Sequence, residues 1–181
     1  MRENRKASFS FALQDAGEGL STYKGVQKYG VELEVLAKHK PKVATACYIA
    51  QLDKARALRL YLEVYWKHPG CDTLGSGLDY FVFDTGLVCG GPAVVARWLE
   101  LLAGPAARGF EEAIEYANQL DLETAISGIE FYRRRRFKLS PLWPVLGAEW
   151  TNRTNRAKQR AMRLGAGPQA KARDVLSLTT A

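Results

Sequence analysis

Near the start of the chain a single carboxylate stands between two glycines, Gly17-Glu18-Gly19, directly after a short helical pattern. A carboxyl group held against a substrate can deliver a proton, as in the cleavage of a glycosidic bond. Glycine neighbours leave room for a bulky polymer to approach the backbone. The plain structural alternative is a surface glutamate in a glycine turn. Residues 17–30 hold Gly17, Gly19, Gly25 and Gly30, with Tyr23, Val26 and Tyr29 between them. At least one of Gly25 and Gly30 is expected to hold a positive φ, because glycine in a fixed loop is costly unless its backbone freedom is used. Tyr23 and Tyr29 could offer flat faces to sugar rings, whereas Trp66, Tyr80 and Trp98 lie in apolar helical patterns and read as core. Gln27 can orient a water but cannot deprotonate one. Glu32 and Asp84 are the available second carboxylates, and Asp84, on an apolar helix, reads as a structural hydrogen-bonder.

Other chemistries have little to work with. Three cysteines (Cys47, Cys71, Cys89) are too few and too scattered for a disulfide framework, and no C-x-x-C or histidine pair suggests a metal. No cofactor is implied. His39 and His68 sit in Lys-rich and Pro-Gly surroundings and read as solvated loop residues. The chain has 181 residues and a net charge of +7, with a pI near 9.4. That length fits one domain, and the charge fits a polyanionic partner: nucleic acid, anionic lipid or bacterial cell wall. Polar residues interrupt any apolar stretch after the basic start, so no secretory signal is expected, and no run reaches the roughly 18 apolar residues of a membrane span.

These residues need elements to position them. Phe9, Leu13 and Ala16 recur at helical spacing and stop at Gly17. Residues 17–30 read as a loop or small hairpin, 31–37 as a short helix, and 42–66 as a long helical pattern with Asp53 near the start of its second part. Residues 78–87 are strongly apolar and read as a buried helix, with a strand as the competing assignment. Pro92 opens a helix to Leu102. One or two further helices are expected over 110–120 and 122–137, and a basic last helix over 149–164, with Trp143-Pro144 in a connection. The result is a mainly α chain with a small irregular or β element near the N-terminus. Arg133 to Arg136 form the densest charge run, read either as a solvated helix end or as a contact for peptide carboxylates or lipid phosphates.

Taken together, these segments resemble the phage-type muramidases of glycoside hydrolase family 108. The family's E-G-G-Y and G-G-x-T-x-x-G-[IV] correspond to Glu18-Gly19-Leu20-Ser21 and Lys24-Gly25-Val26-Gln27-Lys28-Tyr29-Gly30-Val31. Its D-x-A and Y-W correspond to Asp53-Lys54-Ala55 and Tyr65-Trp66. Its F-D-x-x-x-N-x-G and R-W-L-Q correspond to Phe83-Asp84 through Gly90 and to Arg97-Trp98-Leu99-Glu100. A closing G-W-x-N-R resembles Glu149-Trp150-Thr151-Asn152-Arg153. The chain departs from the pattern at Leu20, Gln27 and Cys89, where the family carries Gly, Thr and Asn.

The resemblance implies a lysozyme-like helical domain over residues 1–165, with a catalytic part at about 8–66, a helical peptidoglycan-binding-like part at about 67–165 and a tail at 166–181. It implies that Glu18 protonates the bond between N-acetylmuramic acid and N-acetylglucosamine, with Gln27, Tyr29, Tyr23 and Gly30 binding substrate. The expected partner is bacterial peptidoglycan, with anionic envelope or virion components as further candidates. The expected setting is synthesis in a host cytoplasm and action on the wall after release or from a virion. The alternatives are a non-catalytic wall-binding or structural protein that kept the fold, and a basic nucleic-acid-binding protein. The latter lacks a helix-turn-helix glycine pattern or an aromatic RNA motif.

Overall fold

A computed structural model describes residues 2–17, 19–22 and 25–167. Glu18 and Tyr23 lie outside the described residues. The first helix, α1 (Arg2–Ala16), stops at Gly17, whose φ of 68° takes the chain out of the helix. Three two-residue strands follow, β1 (Leu20–Ser21), β2 (Gln27–Lys28) and β3 (Val31–Glu32), forming an antiparallel sheet in the order β1-β2-β3. Helix α2 (Leu33–His39) leaves β3 directly.

The long helical pattern over 42–66 is not one helix. It divides into α3 (Ala46–Ala50) and α4 (Lys54–Leu60), because Asp53 caps α4 by accepting a hydrogen bond from the Arg56 backbone N–H at 2.7 Å. The chain then widens into a π-helical turn, Tyr61–Trp66, closed by the Lys67 N–H on the Leu62 carbonyl. Such turns are rare and concentrate at functional sites.

The second part is helical throughout: α5 (Leu78–Val88), α6 (Pro92–Ala103), α7 (Phe110–Gln119), α8 (Leu122–Lys138) and α9 (Trp143–Gly165). Trp143-Pro144 does not form a connection. It opens α9, where proline is tolerated because a first-turn N–H has no helical partner anyway. Helix α5 is buried on every side from Leu78 to Leu87, which accounts for an apolar run without a polar face. It packs on α1, α6, α8, α9 and the π-helical turn. At its centre Phe83 meets Phe9, Tyr61 and Trp66 with ring centroids 5.1, 5.5 and 5.6 Å away. Trp66, Tyr80 and Trp98 are buried, as their patterns predict. Among the described residues no helix is long and apolar enough to cross a membrane.

His68 is an exposed turn residue, as its surroundings predict. His39 is not a loop residue: it ends α2, half-buried, and its ring meets that of His68 edge-on at 4.5 Å. Burial, then His68 and Lys38, push the His39 pKa down.

Candidate active site

The small sheet acquires its geometry from a tight hairpin. Lys28 pairs with Val31, leaving Tyr29 and Gly30 as a two-residue connection with φ of 54° and 74°. Positive φ at both central residues is what a type I′ hairpin requires, and glycine fits the second place without cost. Tyrosine fits the first place poorly, and packing holds it there. Its side chain is buried, and its carbonyl accepts a hydrogen bond from the Tyr61 hydroxyl of the π-helical turn. One turn later the Tyr65 hydroxyl accepts from the Glu32 backbone N–H at 3.4 Å. The hairpin is thus hung from the core by two tyrosines. Gly25 also holds a positive φ, 96°.

The sheet register places Ser21 opposite Gln27 and Gln27 opposite Glu32. Opposed residues on adjacent strands share a face, with Cβ atoms about 5 Å apart. This row of three lines a cleft of about 280 Å³ between the sheet, the end of α1 and helix α9. Asp15, Ala16 and Gly19, on either side of Glu18 in sequence, line the same cleft, as do Tyr29 and Gly30. Of the predicted site residues, Gln27, Tyr29 and Gly30 therefore come together. Glu18 and Tyr23 lie outside the described residues, though the neighbours of Glu18 bracket the cleft. A Cβ on Gly30 would stand 3.4 Å from that of Ala16, so glycine here also lets the hairpin close on the end of α1.

Helix α9 supplies the opposite wall with Glu149, Trp150 and Arg153. The sequence marks Arg153, near Trp150, as part of a basic last helix suited to wall or nucleic acid, and it gives no sign that the E-W-T-N-R stretch walls the cleft. Arg153 reaches from the cleft into the core, where its Nη2 donates to Asp84 Oδ1 at 2.9 Å. Arg133 Nη1 donates to the other oxygen at 2.7 Å, and both Arg133 and Asp84 have fully buried side chains. Burial alone would raise the Asp84 pKa, but the guanidiniums of Arg153 and Arg133 outweigh it and draw it to about 2. Asp84 is thus a structural anion, as its apolar helix predicts, and it is not available as a catalytic base. The Arg133 guanidinium is further held between the rings of Phe81 and Phe137, 5.6 and 5.7 Å away.

The arginine run is therefore not a uniformly solvated end. Arg133 is core, Arg134 binds Glu130 and Asn155, and only Arg135 and Arg136 stand exposed. Asp15, at the cleft wall, is held by Arg160 at 2.5 Å and Arg156 at 3.6 Å, both from α9. Glu32 and Glu149 line the cleft from opposite sides, and Glu149 accepts a hydrogen bond from Arg156 Nη2 at 3.0 Å.

A second cleft, about 730 Å³, opens between α2, α6 and α8 and shares Glu32, Val88 and Trp150 with the first.

Comparison with known proteins matches residues 11–90 to the family model described as Glycosyl hydrolase 108. The match runs from within α1 through the sheet, the π-helical turn and α5 to Gly90. Among curated proteins no sequence matches the chain. The fold is similar to the solved structure of Brucella abortus SagA, with a TM-score of 0.78 at 20% identity, covering 93% of this chain and 99% of that one. The hairpin, the glycine-flanked Glu18 position and Phe83-Asp84 all lie inside the matched stretch, so this part of the chain is similar to glycosyl hydrolase family 108.

Proposed function

We propose that the chain hydrolyses peptidoglycan, cutting the β-1,4 bond between N-acetylmuramic acid and N-acetylglucosamine, with Glu18 as general acid. The observation that carries this reading is the convergence of Asp15, Ala16 and Gly19 with Gln27, Tyr29 and Gly30 on one cleft. It puts the residues on either side of a lone glutamate in the sequence across the cleft from the hairpin. A carboxyl group in such a cleft is drawn toward its protonated form by desolvation, which suits an acid at neutral pH.

In this reading Gln27, midway along the Ser21–Gln27–Glu32 row, orients the attacking water, and Glu32 beside it is the carboxylate able to take the water's proton. Asp84 is ruled out of that role by its two buried guanidiniums. Tyr29, whose ring is largely buried, offers an edge to the sugar rather than a face. A separation of about 5–5.5 Å between the two carboxyl groups would give retention, and about 6.5–9.5 Å inversion. The setting we propose is that of a phage endolysin or virion-associated muramidase, made in a host cytoplasm and acting on the wall.

Glu18→Gln keeps the shape and removes the transferable proton. Lysis of purified wall should fall by about 10² or more with the circular dichroism unchanged. Full lysis by this variant removes Glu18 from the mechanism. Wall binding without lysis by the wild type would leave the non-catalytic reading standing.

A further inference from the structure

We infer that the larger cleft is a second binding site, for the carboxylate-bearing peptide that branches from the glycan strand held in the smaller one. The inference rests on the glycan reading of the smaller cleft and deepens it. Adjacency is the first argument. Glu32, Val88 and Trp150 line both clefts, so the branch of a polymer lying in one is brought beside the other. The volume, about 730 Å³, lies within the range of sites that enclose a small-molecule-sized group.

The walls and rim give the chemistry. Two stacked aromatic pairs, Trp98 with Tyr132 and Phe137 with Trp150, line it at centroid distances of 6.0 and 4.8 Å. They offer apolar surface to short side chains. At the rim, Arg135 and Arg136 make no ion pair among the described residues, whereas Lys38 is held by Glu34 at 3.0 Å. Arg136 is moreover seated. Its guanidinium lies across Gly90, where an added Cβ would stand 2.7 Å from Nη2, so a side chain at that position would displace it. An arginine fixed at the mouth of an aromatic cleft, with its donors unspent, is matched to a carboxylate that can take two parallel hydrogen bonds. The peptide of peptidoglycan carries free carboxylates on a strand already committed to the adjoining cleft. Nucleic acid would supply phosphates but has no glycan to occupy that cleft.

The test compares soluble glycan oligomers bearing their peptides with the same oligomers stripped of them by an amidase. The wild type should cut the first with a kcat/KM at least about tenfold higher, a factor expected of charge-assisted hydrogen bonds. In Arg135→Gln and Arg136→Gln that ratio should fall toward one, through KM. Binding of the free peptide to the full chain should weaken about tenfold in the same variants and decline with salt. Equal rates on the two oligomers in the wild type overturn the inference, as does a ratio the variants leave unchanged. If the wild type cuts neither oligomer, the hydrolase reading fails and the peptide titration decides. Absent binding, binding indifferent to both substitutions, or tighter binding of a DNA duplex than of the peptide then overturns the inference.

Discussion

The small sheet and the Asp84 clasp, which reaches the smaller cleft through Arg153, are held together in opposite ways. The sheet has three strands of two residues each, with a tyrosine held at positive φ, and it hangs from the core through the hydroxyls of Tyr61 and Tyr65. The clasp is a carboxylate and two guanidiniums sealed between α5, α8 and α9, with aromatic rings on either side of one guanidinium. The sheet carries the residues that would meet substrate but supplies little cohesion of its own, since so short a sheet is not stable alone. Of the clasp only Arg153 reaches the cleft, and partial loss of the clasp would strand a buried charge. Function and stability should therefore respond to different substitutions.

Asp84→Asn tests this most strongly. It leaves Arg133 and Arg153 without a counter-charge and should cost about 3–5 kcal/mol in urea unfolding. The wild type should also be acid-sensitive through this group. Because the folded pKa lies near 2, below the unfolded value of 3.8, Asp84 contributes stability that is complete above 3.8 and is lost as pH falls toward 2. Urea midpoints measured across that window should fall for the wild type and flatten for the variant.

Gly30→Val acts on the other side. A β-branched residue at φ 74° should cost about 1–2 kcal/mol, while displacing Gln27 and Tyr29. Wall lysis should drop by a larger factor than the folding equilibrium. Parallel loss of both would mean that the hairpin is a structural turn only. Tyr61→Phe removes one suspension point and leaves the Tyr29 carbonyl without its donor, for about 1–2 kcal/mol by thermal melting. The smallest effect belongs to Glu34→Gln. It breaks an exposed pair with Lys38 and should change stability by no more than about 0.5 kcal/mol.

Much of this architecture is legible in the sequence because its signals are local. Apolar runs and the stops at Gly17 and Pro92 define α1, α5 and α6, and four glycines in a short segment mark the hairpin. The break at Asp53 was half visible: the cap residue stood out, but helical periodicity on both sides concealed the interruption. Trp143-Pro144 misleads because proline suits a first helical turn as well as a connection. The division of labour within Arg133–Arg136 was not legible. It depends on Asp84, 49 positions earlier, and on Phe81 and Phe137 closing around one guanidinium. The cleft wall from α9 escaped for the same reason, since Glu149 and Arg153 meet the hairpin only through tertiary packing.

The stretch that matches the family model ends at Gly90, yet two of its acids, Asp15 and Asp84, are neutralised from beyond it. Arg133 and Arg153 reach back to Asp84, and Arg156 and Arg160 reach back to Asp15. The C-terminal helices consequently cannot be exchanged among relatives as a cassette, in the way a linker-tethered wall-binding module can. A chimera that imports α8 and α9 must bring guanidiniums at these places or change both aspartates as well. In a lineage, substitutions at Asp84, Arg133 and Arg153 should be inherited together, with the apolar alternative arising only when all three change.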